Sequence, residues 1–444
     1  MAGSASKGSR EPRTMLEQLL WQQDRTYEEI TAEFDRLAAQ LNEDATLSPR
    51  HLRRLASGER SNTTPVTRRV LQTMFGKPLN ELLRPWEAAT PSGEHSSSGL
   101  VVAKGQPDID RELIALAAQR AKAFALAANQ GNITNEAMEQ VHDDVRRLAT
   151  DYPQRPLPEL LGDLVQAQEL LYKLLESRQR PEQARQLYFL TGVTSGLLAK
   201  ASHDLADPHA AMAQARTAYL CAENADHNGL RAWIRGQQSL IAYWAGRLHE
   251  SVKFAQAGGE FASHAQNTTA VWLPMCEARA WAALGNADKT RSAIRRADDA
   301  WDSVRSDEVD ELGGLCTFGP VRQSYFAADA MAWLPSEAQD AQDYAARAVD
   351  AYADTSDSEW AFGDQAGSHT GLAIARIHLG ELEGAEEAVN PILDLEPENR
   401  INGIVNSTMR VHKALSSSPL AVPGGELQER IEMFTRTPLK SLPR

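Results

Sequence analysis

Five short turns recur along the C-terminal part of this 444-residue chain, at Asp207-Pro208, Gly246-Arg247, Gly285-Asn286, Pro335-Ser336 and Gly380. Counted from Asp207, Gly246, Gly285, Ser336 and Gly380, they lie 39, 39, 51 and 44 residues apart. In the clearest unit, Ala375 to Pro397 (ARIHLGELEGAEEAVNPILDLEP), Gly380 stands between two helical stretches. Ala385 follows five residues later, Ala388 shares its face, and Pro397 is the stop. Glycine permits the backbone reversal, and alanine lets two helices approach closely. A unit of this kind buries its apolar face only against the next unit, so the pattern predicts stacked helix pairs. A non-repeating helical bundle is the other architecture compatible with the unequal spacing.

From Asp108 to about Leu415, Ala, Leu and Trp recur at three- and four-residue intervals with few β-branched runs, which predicts nearly continuous helix. Residues 14 to 87 also read as helical, and the stretch AATPSGEHSSSGLVVAKGQP that follows has a linker composition. The expected organisation is therefore a small domain at 14–88, a linker at 89–107, a large domain at 108–415 and a partly ordered tail at 416–444. Met1 to Arg13 is polar and basic, and reads as a disordered leader rather than a secretory signal. No stretch approaches the ~20 apolar residues of a membrane span. Cys221, Cys276 and Cys316 are too far apart for a zinc or redox pair and offer no disulfide framework, which suits a reducing cytoplasm.

The net charge of −14 conceals an asymmetry. Up to residue 89 the chain carries 13 basic and 12 acidic residues, and beyond it 33 basic and 48 acidic. Within residues 48–77, Arg50, Arg53, Arg54, Arg60, Arg68, Arg69 and Lys77 face only Glu59, a local balance of +6. Such a patch attracts polyanions, while the acidic body discourages nonspecific coating of nucleic acid. Thr26 and Glu29 form a capping-box pattern that starts a helix striped by Ile30, Phe34, Leu37 and Leu41. A second helix starts at Ser48-Pro49 and stops at Gly58. Leu52 and Leu55 turn inward in it, so Arg50, Arg53 and Arg54 occupy the other face. Such a short basic helix fits a major groove about 12 Å wide.

These residues resemble the helix-turn-helix of lambda-repressor-like (XRE) regulators, and most closely an actinomycete group with a TYEEI-like helix, an LSxRxLRRLxxGE-like helix and a PxxRRVLxxMFG segment. The Gly380 unit resembles a tetratricopeptide repeat, the array that follows the DNA-binding domain in that group. The resemblance spans Leu16 to Leu83 and extends beyond it only by architecture. It implies an all-α protein: an N-terminal helix-turn-helix domain plus a tetratricopeptide-like right-handed α-solenoid. It places Thr26 and Tyr27 at the phosphate backbone, Arg50 and Arg54 at the bases, Arg53 beside them and Arg60 just beyond. Ser48, His51, Arg68 and Arg69 complete the candidate DNA-binding set. One departure is that 22 positions separate the caps Thr26 and Ser48, about twice the compact arrangement. An extended first helix or an inserted loop, Asn42 to Thr46, is expected to fill the difference.

The sequence has no HExxH, GxSxG or GxGxxG and no clustered His/Cys set, so no catalytic residue, metal site or cofactor is expected. The run Asp307, Glu308, Asp310, Glu311 lacks the oxygen spacing and glycine of a calcium loop and reads as a solvated insertion. Counting back from each turn puts Trp233, Tyr243, Trp272, Met275, Arg279, Gln323, Phe326 and Trp333 near the array's concave surface. All but Trp333 form the candidate effector set, as rings and polar groups suited to a peptide, small-molecule or protein effector. Arg279, polar within an apolar row, is the leading residue. The expectation is a non-enzymatic transcription regulator, cytoplasmic and nucleoid-associated, binding double-stranded DNA as a homodimer without contact to membrane. A scaffold that sequesters a protein partner through the array is the alternative. The regulator requires Arg50 and Arg54 outward and free; the scaffold buries or ion-pairs them.

Overall fold

The computed structural model describes residues 12–22, 26–40, 43, 45–59, 63–75, 79–84 and 133–439. The expected leader up to residue 11, the linker at 89–107, Arg60 and the residues from 440 onward lie outside the described residues. The described residues are all-α, with no β-strand among them. No helix among them is long and apolar enough to cross a membrane. The chain divides into two compact units, Met1–Gly105 and Gln106–Arg444.

The first unit contains α1 (Met15–Gln22), α2 (Tyr27–Gln40), α3 (Pro49–Ala56), α4 (Pro65–Phe75) and α5 (Leu79–Leu82). Helix α2 packs on α3 and α4, and α1 packs on α3 and α5, around Leu16, Ile30, Phe34, Leu52, Leu55 and Leu71. Thr26 caps α2 reciprocally: its N–H donates to Glu29 Oε2 at 2.8 Å, and Glu29 N–H donates to Thr26 Oγ1 at 3.2 Å. Most of the interval between the two caps is helix, since α2 continues to Gln40. The connection then folds back: Glu43 N–H donates to Ala38 O (2.9 Å) and Leu47 N–H to Asp35 Oδ1 (3.2 Å).

The second unit begins with α6 (Asn135–Asp151) and α7 (Leu157–Glu176). Helix pairs follow: α8 (Pro181–Asp204) with α9 (Pro208–Asn224), α10 (Asn228–Trp244) with α11 (Leu248–Ala265), and α12 (Thr269–Ala283) with α13 (Ala287–Ala300). After these come α14 (Pro320–Met331) with α15 (Ala338–Ala351), α16 (Phe362–Leu379) with α17 (Leu382–Leu393), and α18 (Asn402–Ser416) with α19 (Gly425–Thr435). The five turns marked in the sequence fall within the first five of these pairs. Gly246, Gly285 and Gly380 reverse the chain at φ +72°, +75° and +86°, and Ala206 takes the same left-handed conformation in the first turn.

Helices α8, α10, α12, α14, α16 and α18 form one layer in which each packs on the next. Aromatic rings seated on glycines set how closely they approach. The Trp233 ring of α10 lies where a Cβ on Gly196 of α8 would stand 2.2 Å from it, and Trp272 of α12 lies likewise 2.3 Å from a Cβ on Gly236 of α10. The layer closes on itself, for α18 packs on α8, Phe362 N–H donates to Pro153 O (3.1 Å) and Gln154 Nε2 donates to Ser358 O (3.1 Å). The segment expected to be a partly ordered tail contains α19, whose Leu427, Ile431 and Phe434 are buried in the core.

The long 51-residue interval is an insertion of residues 301–319, which forms short 3₁₀ turns at Trp301–Ser303, Asp310–Leu312 and Gly314–Cys316. It is not a solvated excursion. Val309, Leu312, Cys316 and Phe318 are buried, and a Cβ on Gly314 would stand 2.1 Å from the carbonyl oxygen of Ala149 in α6. Apolar residues interleaved with the acidic ones draw it inward: Glu308 and Glu311 stay exposed while Asp310 is buried.

The glycine seats make a stability prediction. Gly196→Ala forces the Trp233 ring aside and should cost about 1–3 kcal/mol. Gly162→Ala, in a helix where nothing lies within 4 Å, should stabilise by about 0.5–1 kcal/mol. Urea denaturation midpoints of the two variants, moving in opposite directions, check this.

Candidate functional site

Two surfaces emerge from these elements. On α3, the Ser48 side chain accepts from His51 N–H at 3.3 Å, Pro49 opens the helix, and Gly58 at φ +74° ends it. Leu52, Leu55 and Ala56 are fully buried, which fixes the rotation of the helix. Arg50, Arg53 and Arg54 therefore emerge on the opposite, exposed face. Arg50 makes no hydrogen bond or ion pair among the described residues. The Arg53 guanidinium lies 5.1 Å from the centroid of the Tyr27 ring, which joins the start of α2 to the basic face of α3. Arg54 pairs with Glu59 at 3.7 Å, both more than half exposed, a contact worth little in water.

The other candidates of this unit divide. Thr26 is exposed and caps α2, and Ser48 is exposed and caps α3. Tyr27 and His51 are half-buried, and Arg68 is exposed on α4. Arg69, also on α4, is held by Glu43 through two hydrogen bonds of 2.8 and 3.0 Å. That interaction keeps the Glu43 carboxyl below its ordinary range. Sequence reasoning missed this partner because Glu43 sits in the α2–α3 connection, 26 residues away.

The candidates of the second unit lie in its interior. Trp233, Tyr243, Trp272, Met275, Arg279 and Phe326 are all buried, and Gln323 is half-buried, accepting from Trp301 Nε1 (2.5 Å) and donating to Asp298 (2.7 Å). Closure of the inner layer brings these residues together. Arg279 Nε donates to Asp329 Oδ2 at 2.6 Å, and its guanidinium lies 4.5 Å from the ring centroids of both Tyr243 and Phe326. Asp329 also binds Arg410 through Oδ1 and accepts from Tyr243 Oη (3.3 Å), which in turn accepts from Trp333 Nε1 (2.8 Å). Burial opposes the charges, but they sustain one another: Arg279 and Arg410 hold Asp329 below its ordinary pKa. Asp329 and Arg410 were missed in the sequence. For Asp329 the available signal was the one that marked Arg279, a charge within an apolar row, here Phe326 to Met331.

Beside this cluster, a cavity of about 50 Å³ is lined by α8, α10, α12, α14, α16 and residues 315–318, and Trp233, Trp272 and Phe326 border it. Gln237, 2% exposed, also borders it, and its Oε1 has no hydrogen-bond partner. Among the described residues no His, Cys, Asp and Glu are grouped to hold a metal ion. No family model matches the chain, and no curated protein is similar to it at a significant level.

Two predictions follow from the buried charges. Asp329→Asn leaves two buried guanidiniums undercompensated and should cost about 3–5 kcal/mol in urea denaturation, whereas Asp329→Leu combined with Arg279→Met and Arg410→Met should restore most of that loss. Nearby, burial pushes the His203 imidazole down to about 4, so the folded state keeps it neutral while the unfolded chain takes up a proton near pH 6.5. The unfolded state then binds more protons between these values, and stability falls as pH drops from about 6.5 to 4, by at most about 3 kcal/mol. His203→Gln should flatten that part of the stability-against-pH curve relative to the parent chain.

Proposed function

We propose that the chain is a sequence-specific DNA-binding transcription regulator, with a helix-turn-helix in its first unit and a tetratricopeptide-like array in its second that senses an effector. One observation carries the reading: Arg50, Arg53 and Arg54 stand together on the exposed face of an eight-residue helix whose other face is fully buried. Exposed guanidiniums match guanine O6 and N7 bidentately, and the adjoining start of α2, with Tyr27 against Arg53, meets the backbone. The acidic excess beyond residue 89 supports confinement of DNA binding to the first unit. One unit of this size reads a short half-site, so the reading includes a homodimer spanning half-sites about 34 Å apart. The scaffold alternative draws its support from the Arg54–Glu59 pair, weak because both side chains are exposed, and from the bidentate Arg69–Glu43 pair, which withholds one cation from a polyanion.

The test is binding to a site selected from random duplexes. Arg50→Ala and Arg54→Ala should each cost about 1–3 kcal/mol at that site and relax base preference. Arg68→Ala should weaken all sequences alike and reduce the salt slope by about one. Equal binding by an Arg50→Ala/Arg54→Ala double variant and the parent sinks the assignment. Sedimentation giving a monomer, free and on DNA, sinks the homodimer.

A further inference from the structure

Residues 315–318, Leu-Cys-Thr-Phe, are held inside the array by side chains that grip their backbone. Trp233 Nε1 donates to Leu315 O (3.3 Å), Arg322 Nη1 donates to Thr317 O (2.8 Å), and Phe318 N–H donates to Thr268 Oγ1 (3.1 Å). The Phe318 ring stacks on Trp272 at 6.3 Å and meets the Phe326 edge at 5.2 Å. Side chains that bind main-chain carbonyls and N–H groups in this way do not depend on the chain being continuous. They are contacts that a groove can equally make to the backbone of a peptide supplied from outside. The fit is also incomplete, for a 50 Å³ cavity remains beside the segment, and Gln237, one of the residues that line it, has a buried Oε1 without a hydrogen-bond partner. That volume admits a few waters or one small polar group.

We infer that the interior groove bounded by Trp233, Thr268, Trp272, Arg322 and Phe326 is a peptide-binding site occupied in cis by residues 315–318. Its exchangeable ligand is a peptide that takes up the same 3₁₀ turn followed by an extended residue, with an apolar residue three positions before an aromatic one. This deepens the sensing role proposed above and rests on it for its regulatory meaning only. A tethered segment competes at an effective concentration on the order of millimolar, so the parent chain should bind such a peptide weakly. On its N-terminal side Asp302, Ser303, Arg305, Ser306 and Glu308 are exposed and so accessible to a protease.

The experiment exploits a difference in sign. Phe318 belongs to the occupant and Trp233 to the groove, although both are buried aromatic residues. The probe is a fluorescein-labelled peptide carrying residues 312–319 of the chain, titrated by anisotropy under reducing conditions into the full-length protein. Phe318→Ala should tighten binding at least tenfold over the parent, and adding Trp233→Phe, which removes the N–H donor, should reverse the gain. Because Phe318→Ala empties part of the core, a second form is tested in which a site-specific protease cuts an inserted recognition sequence between Arg305 and Ser306. The cut chain, with helical circular dichroism retained and its segment tethered at the C-terminal end only, should also bind the probe more tightly than the parent. Failure of the folded cut chain to bind, or equal weakening by both aromatic substitutions, overturns the inference. Tenfold tighter peptide binding that leaves DNA affinity unchanged upholds the groove and overturns the sensing role.

Discussion

Asp329 is 3% exposed and its carboxylate ties together elements distant in sequence: Tyr243 at the end of α10, Arg279 on α12 and Arg410 on α18. A buried carboxylate tolerates its environment only if cations and donors surround it, and each of these groups needs it equally. The cluster therefore acts as a registration point. If α18 slipped by one turn, Arg410 would leave Asp329 and a buried charge would stand unpaired. Apolar packing alone, in a layer rich in alanine, is less discriminating, since one small residue fits much like the next. The closure of the inner layer, with α18 returning to α8, depends on that discrimination. So does the interior, because the Arg279 guanidinium lies between the Tyr243 and Phe326 rings that line it.

Much of the helical architecture was legible in the sequence because its signals are local. The Thr26 capping box, the Ser48-Pro49 start, the stop at Gly58 and the five turns each depend on backbone requirements that a few adjacent residues satisfy. A longer-range regularity was present and went unread. Gly196 and Gly236 lie 40 residues apart, and the rings seated on them, Trp233 and Trp272, lie 39 apart. That matched pair is a repeat signal stronger than the uneven turns, since a large ring in one unit requires an absent side chain in the unit before it.

What the sequence could not disclose was how far the layer curves. Open helix pairs leave a concave face to solvent, and aromatic residues on it read as a lining. Here the first and last pairs meet, and the insertion at 301–319 packs inward against α6, α10, α12 and α14. The same residues become interior without any change in which helix face they occupy. The run Asp307, Glu308, Asp310, Glu311 within it read as solvated because all four residues are acidic. Two of those carboxylates, however, serve as acceptors within the fold: Asp310 for Thr268 N–H (3.0 Å) and Asp307 for Asn267 Nδ2 (3.0 Å). Charge count along a segment does not separate a carboxylate that faces water from one that caps a neighbouring helix.

The two candidate surfaces rest on opposite physical strategies. The face of α3 is specified by what is buried behind it, so its arginines remain exposed and hydrated, and lose that hydration only when a partner arrives. The interior of the array is already desolvated, and residues 315–318 supply acceptors to Trp233 and Arg322 and a donor to Thr268; Arg322 also donates to Asp364 and Thr268 to Asp310, so it is the Trp233 N–H and one arm of Arg322 that depend on the segment. Emptying that groove without replacing the segment would leave buried polar groups unsatisfied, each at a cost of about 1–3 kcal/mol. Displacement by a ligand of matching backbone avoids that cost, because the hydrogen bonds are exchanged and never lost. On the inference drawn above, the closed state resists water for the same reason that it would yield to a peptide.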